Sequence, residues 1–167
     1  MQKKVKYDQA IKTKYPEQVV IAIAKDRNGK ANPITLGWTM IVSGEPPMMA
    51  IAVAKTHYSV ETITHSECFT LAFPSSEMAD AALFFGSKSG RDVDKFAEFE
   101  CKTEPAQEID SLFLTDAVAN FECTLESQMV AGDHMIFVGK VVASHINTEP
   151  KKRLYTVGPG HKVGSVS

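Results

Sequence analysis

The chain has 167 residues, 44% of them hydrophobic and 23% charged, with a formal net charge of −2 at pH 7. That size and composition fit one soluble globular domain over residues 1–167. A charge so close to zero removes any global electrostatic case for nucleic acid or a membrane surface, so anion binding has to be local.

The first 18 residues carry basic side chains with no apolar segment behind them, so no secretory signal is read and the cytoplasm is the expected compartment. Val19 to Ala24 is a short apolar run suited to a buried strand. From Ile34 to Val42 the residues alternate. Ile34, Leu36, Trp38, Met40 and Val42 fall on one face, with Thr35, Gly37 and Thr39 on the other. Ser43-Gly44-Glu45-Pro46-Pro47 turns the chain into a strand over Met48 to Ala54. There Ala50, Ala52 and Ala54 oppose Met49, Ile51 and Val53, and the run is too short to span a bilayer.

Ser59 is placed to cap a helix running to about Ser66, and Cys68 to Phe73 reads as the next strand. Ser76 can cap a second helix, in which Met78, Ala81, Ala82 and Phe85 share a face and Gly86 takes the C-cap position. Lys102 to Asp110 reads as a surface loop, and strands return over Asn120–Met129 and Met135–Ser144 about a Gly132-Asp133 turn. Many short strands and few short helices predict a mainly β protein of barrel type. Cys68, Cys101 and Cys123 lie far apart without zinc spacing, and read as reduced thiols.

Four places could carry chemistry. Lys55-Thr56-His57-Tyr58-Ser59 joins a strand to a helix, where free N–H groups, hydroxyls and a cation make a phosphate cradle. A plain helix cap accounts for the same residues. Gly86-Ser87-Lys88-Ser89-Gly90-Arg91, followed by Asp94-Lys95-Phe96, can wrap an anion or form an ordinary solvated loop. Thr35, Gly37 and Thr39, beside the alanine face of the next strand, leave room for a flat ligand or for a close-packed helix. Trp38 points the other way in this pattern, toward core or interface. His134 in Gly132-Asp133-His134 is a candidate proton donor or a turn residue. No metal site, P-loop or dinucleotide fingerprint is present.

Taken in order, Asn32-Pro33-Ile34-Thr35-Leu36-Gly37-Trp38-Thr39, Pro46-Pro47-Met48-Met49-Ala50-Ile51-Ala52-Val53 and Thr56-His57-Tyr58-Ser59 are joined by two later stretches. These are Ser89-Gly90-Arg91-Asp92-Val93-Asp94-Lys95-Phe96 and Gly132-Asp133-His134-Met135-Ile136-Phe137-Val138-Gly139. The sequence resembles the flavin reductase-like family, flavoredoxin-type members in particular. The resemblance implies an FMN-binding split β-barrel, Greek-key-like with a few short helices, that pairs as a homodimer. It implies that Thr35, Trp38 and Thr39 lie along the isoalloxazine ring, and that Ala52, Val53 and Ala54 face its polar atoms. Lys55, Thr56, His57 and Ser59 would form the phosphate turn, where many members carry Arg. Ser87, Ser89, Gly90 and Lys95 would close over the ribityl phosphate, and His134 would stand near the nicotinamide side. Lys140 stands where many members have Glu. The implied activity is FMN reduction by NADH or NADPH, with an electron carrier that uses no nicotinamide as the alternative.

Overall fold

The computed structural model describes residues 1–166. Helix α1 (Tyr7–Ala10) and a 3-10 turn (Ile11–Lys14) lead into β1 (Glu17–Gln18), β2 (Val20–Lys25), β3 (Ala31–Leu36), β4 (Thr39–Gly44) and β5 (Pro47–Ala54). Helix α2 (Ser59–Ser66), β6 (Cys68–Phe73), a 3-10 turn (Ser76–Met78), α3 (Ala79–Ser87) and α4 (Lys95–Glu98) follow. The chain ends with β7 (Thr103–Pro105), β8 (Leu112–Leu114), β9 (Ala119–Ala131), β10 (His134–Ile146), β11 (Tyr155–Gly158) and β12 (Lys162–Gly164).

Seven strands form an antiparallel sheet in the order β3-β2-β6-β9-β10-β5-β4. The two edge strands, β3 and β4, are consecutive in the chain, with only Gly37 and Trp38 between them. Three steps of about 3.3 Å hold Leu36 and Thr39 within about 10 Å of each other. A sheet tied edge to edge by so short a link has to roll. Accordingly Ile34 and Leu36 of β3 share one core with Met49, Ile51 and Val53 of β5, Phe69 of β6 and Phe137 of β10. The edges do not pair, so hydrogen bonds leave the barrel split.

This corrects the expectation of one strand from Ile34 to Val42. The chain leaves one sheet edge at Gly37 and joins the other at Thr39, where the Ala52 N–H donates to the Trp38 carbonyl at 2.9 Å. Ile34 and Leu36 are core, whereas Met40 and Ile41 are 61% and 75% exposed.

The outer face of β2 is covered as well. Ile21 and Ile23 pack with Ala81, Ala82 and Phe85 of α3, and with Leu114 and Leu154. Burial on both faces explains why Val19–Ala24 reads as an unbroken apolar run. Gly139 stands at an irregularity in the β9–β10 ladder, where a Cβ would lie 2.6 Å from Phe69 Cζ and 2.7 Å from Cys123 Cβ. Its missing side chain is what lets Phe69 fill the barrel.

Both helix caps differ from the sequence reading. Tyr58 takes the cap position of α2, while Ser59 turns inward and accepts from Asn32 Nδ2 at 2.9 Å. Ser76 opens a 3-10 turn, its N–H held by the Lys152 carbonyl at 2.7 Å. Gly86 lies inside α3, which runs on to Ser87. A Cβ there would already touch Thr35 Cβ at 3.4 Å, so the glycine serves the approach of helix to strand. The expected loop at 102–110 contains β7, which pairs with β8. Among the described residues no helix is long and apolar enough to cross a membrane.

Candidate functional site

Alternation along β5 decides where a ligand can sit. Met49, Ile51 and Val53 fill the barrel, which leaves Ala52 and Ala54 on the outer face as part of the wall of a cavity of about 750 Å³. Small side chains keep that wall low. The rest comes from Thr35, Gly37 and Trp38, from Ala82 and Gly86 of α3, from His57 and His134, and from the two chain ends. Lys14 and Glu17 contribute from one end, paired at 2.6 Å, and His161 from the other. The Thr35 hydroxyl donates to the Ala82 carbonyl at 2.7 Å, fixing α3 on β3.

Trp38 lies at this cavity, not in the core. Because the chain crosses between sheet edges at residues 37–38, the indole escapes the alternation of its neighbours and is 49% exposed. Its ring centroid stands 4.5 Å from that of His134, with Lys14 Nζ 5.9 Å away. His134 Nδ1 is 2.6 Å from Asp133 Oδ1, and this hydrogen bond holds the Asp133 carboxyl below its ordinary value.

A smaller cavity of about 170 Å³ shares His57, Gly86 and Ser87 with the first. Thr56, Ser59, Lys88, Ser89, Gly90, Asn32 and Lys95 are among the other residues of its wall. Lys95 is only 3% exposed, and its ammonium donates to the Pro33 and Phe85 carbonyls at 2.7 and 2.8 Å. It forms no ion pair among the described residues, and burial pulls its pKa down to about 8. Burial, then the positive charges of Lys95 and His134, hold the His57 imidazole below its ordinary value. A buried ammonium that has hydrogen bonds but no counter-charge is an electrostatic invitation to an anion.

The segment over this cavity is strapped down at two points. Lys30 Nζ donates to the Gly90 carbonyl at 3.1 Å, and Arg91 Nη1 to the Thr56 carbonyl at 3.0 Å. Arg91 also pairs with Glu61 and lies 5.3 Å from the Tyr58 ring centroid.

The structure therefore brings Thr35, Trp38, Ala52, Ala54, His57, Ser87 and His134 to the larger cavity. Thr56, His57, Ser59, Ser87, Ser89, Gly90 and Lys95 meet at the smaller one. Thr39, Val53 and Lys55 line neither. The Thr39 hydroxyl donates to the Ala50 carbonyl at 2.9 Å, Val53 is buried in the barrel, and Lys55 lies exposed on the turn, its N–H donating to the Asp133 carbonyl at 3.0 Å. The N–H groups of Val60, Glu61 and Thr62 are taken by the His57 and Tyr58 carbonyls. Sequence reasoning missed Asn32, Lys14, Glu17 and His161. Only Asn32 carried a signal, as an amide set in a strand of apolar and β-branched residues.

The sequence pattern of the flavin reductase like domain family matches residues 12–161. Actinorhodin polyketide dimerase of Streptomyces coelicolor is 31% identical over 142 residues, 84% of this chain and 76% of that protein. The crystal structure of flavoredoxin from Methanosarcina acetivorans superposes with a TM-score of 0.86 at 26% identity, over 100% of this chain and 92% of that one. An FMN-binding protein from Thermus thermophilus, crystallised with p-hydroxybenzaldehyde, shares the fold: TM-score 0.87 at 21% identity, over 100% of this chain and 97% of that one.

Proposed function

Because the chain belongs to the family of flavin reductase-like domains, we propose that it holds FMN across the two joined cavities and is reduced there by NADH or NADPH. The observation that carries this reading is the pairing of a broad cavity with a small one that ends on Lys95. A planar ring fits the first and a phosphate monoester the second. Two features of the small cavity suit that phosphate: the buried Lys95 ammonium without a carboxylate partner, and the hydroxyls of Thr56, Ser59, Ser87 and Ser89 on the same wall.

When bound, FMN supplies the hydride-accepting chemistry. The protein positions and tunes. Ala52 and Ala54 leave one wall clear, and Thr35 and the strapped 86–91 segment fix the long axis of the site. His134, its Nδ1 held by Asp133, keeps Nε2 as the ring nitrogen able to exchange a proton with a ligand in the larger cavity.

Likeness to a flavoredoxin along the whole chain favours a second reading, an electron carrier that keeps FMN and takes electrons from another protein. An anaerobic visible spectrum with equimolar FMN separates the two. Flavin bands that travel with the protein and bleach with NADH or NADPH support the reductase. Bands that stay with both, but bleach with dithionite, support the carrier. Flavin that elutes apart from the protein rejects both.

The outer sheet face beside the site carries the proposed homodimer. Cross-strand register sets Met129, Ile136 and Ala52 in one row and Val138, Ala50 and Met40 in the next. Met129 and Met40 are 60% and 61% exposed. Contiguous exposed apolar surface of this kind marks an interface, and a two-fold partner meets it with the same residues. Sedimentation is expected to give a dimer that Met40→Asp converts to monomer. A parent chain that sediments as a monomer would refute the assembly.

A further inference from the structure

Trp38 reaches the larger cavity from a two-residue crossover that belongs to no strand, so groups outside the seven-stranded sheet have to hold it still. The Trp38 carbonyl accepts from the Ala52 N–H of β5. Carbonyls alternate along a strand, so that of Thr39 points the other way, into the split, where the sheet offers no neighbour. Gln18 of β1 supplies the donor there, from Nε2. From the same strand Glu17 closes on Gly37, where a Cβ would lie 3.1 Å from the Glu17 Cδ. The crossover is thus clamped on both sides of the indole.

The clamp has an anchor. Arg153 Nη2 donates to Gln18 Oε1 at 3.3 Å, and the guanidinium lies 3.6 Å from the centroid of the Phe73 ring. The main chain about Arg153 is fixed on either side. The Ser76 N–H donates to the Lys152 carbonyl at 2.7 Å, and the Leu154 N–H to the Pro74 carbonyl at 2.9 Å.

No acidic side chain pairs with Arg153 among the described residues, and its Nε is buried without a partner. A half-buried charge of this kind adds little stability over an apolar residue, so its use lies in what the head directs. Here it directs an amide. A guanidinium only donates and a backbone carbonyl only accepts. Of the two orientations of Gln18, a single one serves both: oxygen to Arg153, NH₂ to Thr39.

Building on the flavin reading above, we infer that Arg153 is a positioning residue for the ring site. By orienting Gln18 it holds the Thr39 carbonyl, and so sets the Trp38 indole at the wall where the flavin ring lies.

Trp38 is the only tryptophan of the chain, so fluorinated tryptophan gives one ¹⁹F signal that reports on this indole with or without flavin. In the flavin-free parent that signal is expected away from its unfolded position, displaced by the His134 ring. Gln18→Glu keeps an acceptor for Arg153 and adds a charge to it, but turns an oxygen on the Thr39 carbonyl. Its melting temperature is expected to stay at or above the parent's while the ¹⁹F signal moves toward the unfolded position. The Kd values for FMN and riboflavin are expected to rise together, by about three- to tenfold. Arg153→Met keeps an apolar contact with Phe73 and frees Gln18, so it is expected to move the signal the same way. The double variant is expected to move it no further than Gln18→Glu alone, because both changes break one relay.

A signal that keeps the parent's position in either single variant overturns the inference. A shift that comes in both variants with a lower melting temperature reduces Arg153 to a brace, and overturns it too. Signals that move while both flavins bind as tightly as to the parent overturn the link to the ring site. A parent chain that binds neither flavin overturns the flavin reading, and the ¹⁹F shifts then decide the hold on Trp38 by themselves.

Discussion

Glu122→Ala is expected to lower stability by about 3–5 kcal/mol, because it removes a buried carboxylate on which a whole segment hangs. Glu122 is fully buried in β9 and accepts from the N–H groups of Gln107, Glu108 and Ile109 at 3.0, 2.7 and 3.2 Å. His145 Nε2 stands 2.7 Å from Oε1, the oxygen that also takes the Gln107 N–H, and is itself stacked on Phe113 at 5.0 Å. One side chain thus stands in for the backbone partners that residues 107–109 lack. Alanine strands those amides, and for a chain of this size the melting temperature is expected to fall by roughly 10 °C. Glu122→Gln keeps the shape but not the charge and should cost about 1–3 kcal/mol.

Acidity gives this prediction a second arm. Burial opposes ionisation of Glu122, but the Gln107 and Glu108 amides and His145 outweigh it, so the carboxyl stays below its ordinary value of 4.5. A carboxyl depressed in the folded state contributes stability above its unfolded pKa and loses it as pH falls through the folded one. Parent melting curves should therefore converge on those of Glu122→Gln as the pH drops below about 4.5. An alanine variant that melts with the parent would dispose of the idea.

How much of this was legible in the sequence depends on how far each pattern reaches. Val19–Ala24 and Cys68–Phe73 declared themselves as strands because burial on both faces leaves only apolar residues to choose from. The alanines of β5 marked a shallow wall because small residues recur there at period two. Alternation failed at Gly37–Trp38, where the pattern runs on while the backbone changes sheet edge. A period reports faces, not partners. Ser59 looked like a helix cap because its competing partner, Asn32, lies 27 positions earlier in the chain. The chain ends were beyond reach for a similar reason. Lys14, Glu17 and His161 come to the cavity only because β1 pairs with β11 in a separate small sheet. The family resemblance named Lys95 for phosphate, but not that it is buried without a carboxylate.

Lys95→Met is expected to raise the Kd for FMN about 100-fold at pH 7, close to 2.7 kcal/mol, and that for riboflavin by less than about threefold. The methionine fills the space of the stem and deletes only the charge and its donors. Loss of the bonds to Pro33 and Phe85 costs stability, but that loss falls on both ligands alike, so the ratio of their affinities isolates the phosphate term.

The wild-type pH profile tests the same claim without a substitution. Burial lowers Lys95 to about 8 in the empty site, so rising pH removes the ammonium there first. A bound phosphate favours the charged form and holds it to higher pH. As far as Lys95 is concerned, affinity for FMN is therefore insensitive to pH well below pH 8 and falls above it, by up to about tenfold per unit. In Lys95→Met this fall between pH 8 and 9.5 should vanish, leaving FMN no more pH-sensitive than riboflavin over that range. Should the variant keep the parent's slope, or lose riboflavin as steeply as FMN, the anion would have to be held by another cation, Lys88 of the same cavity or Arg91 on the strap beside it.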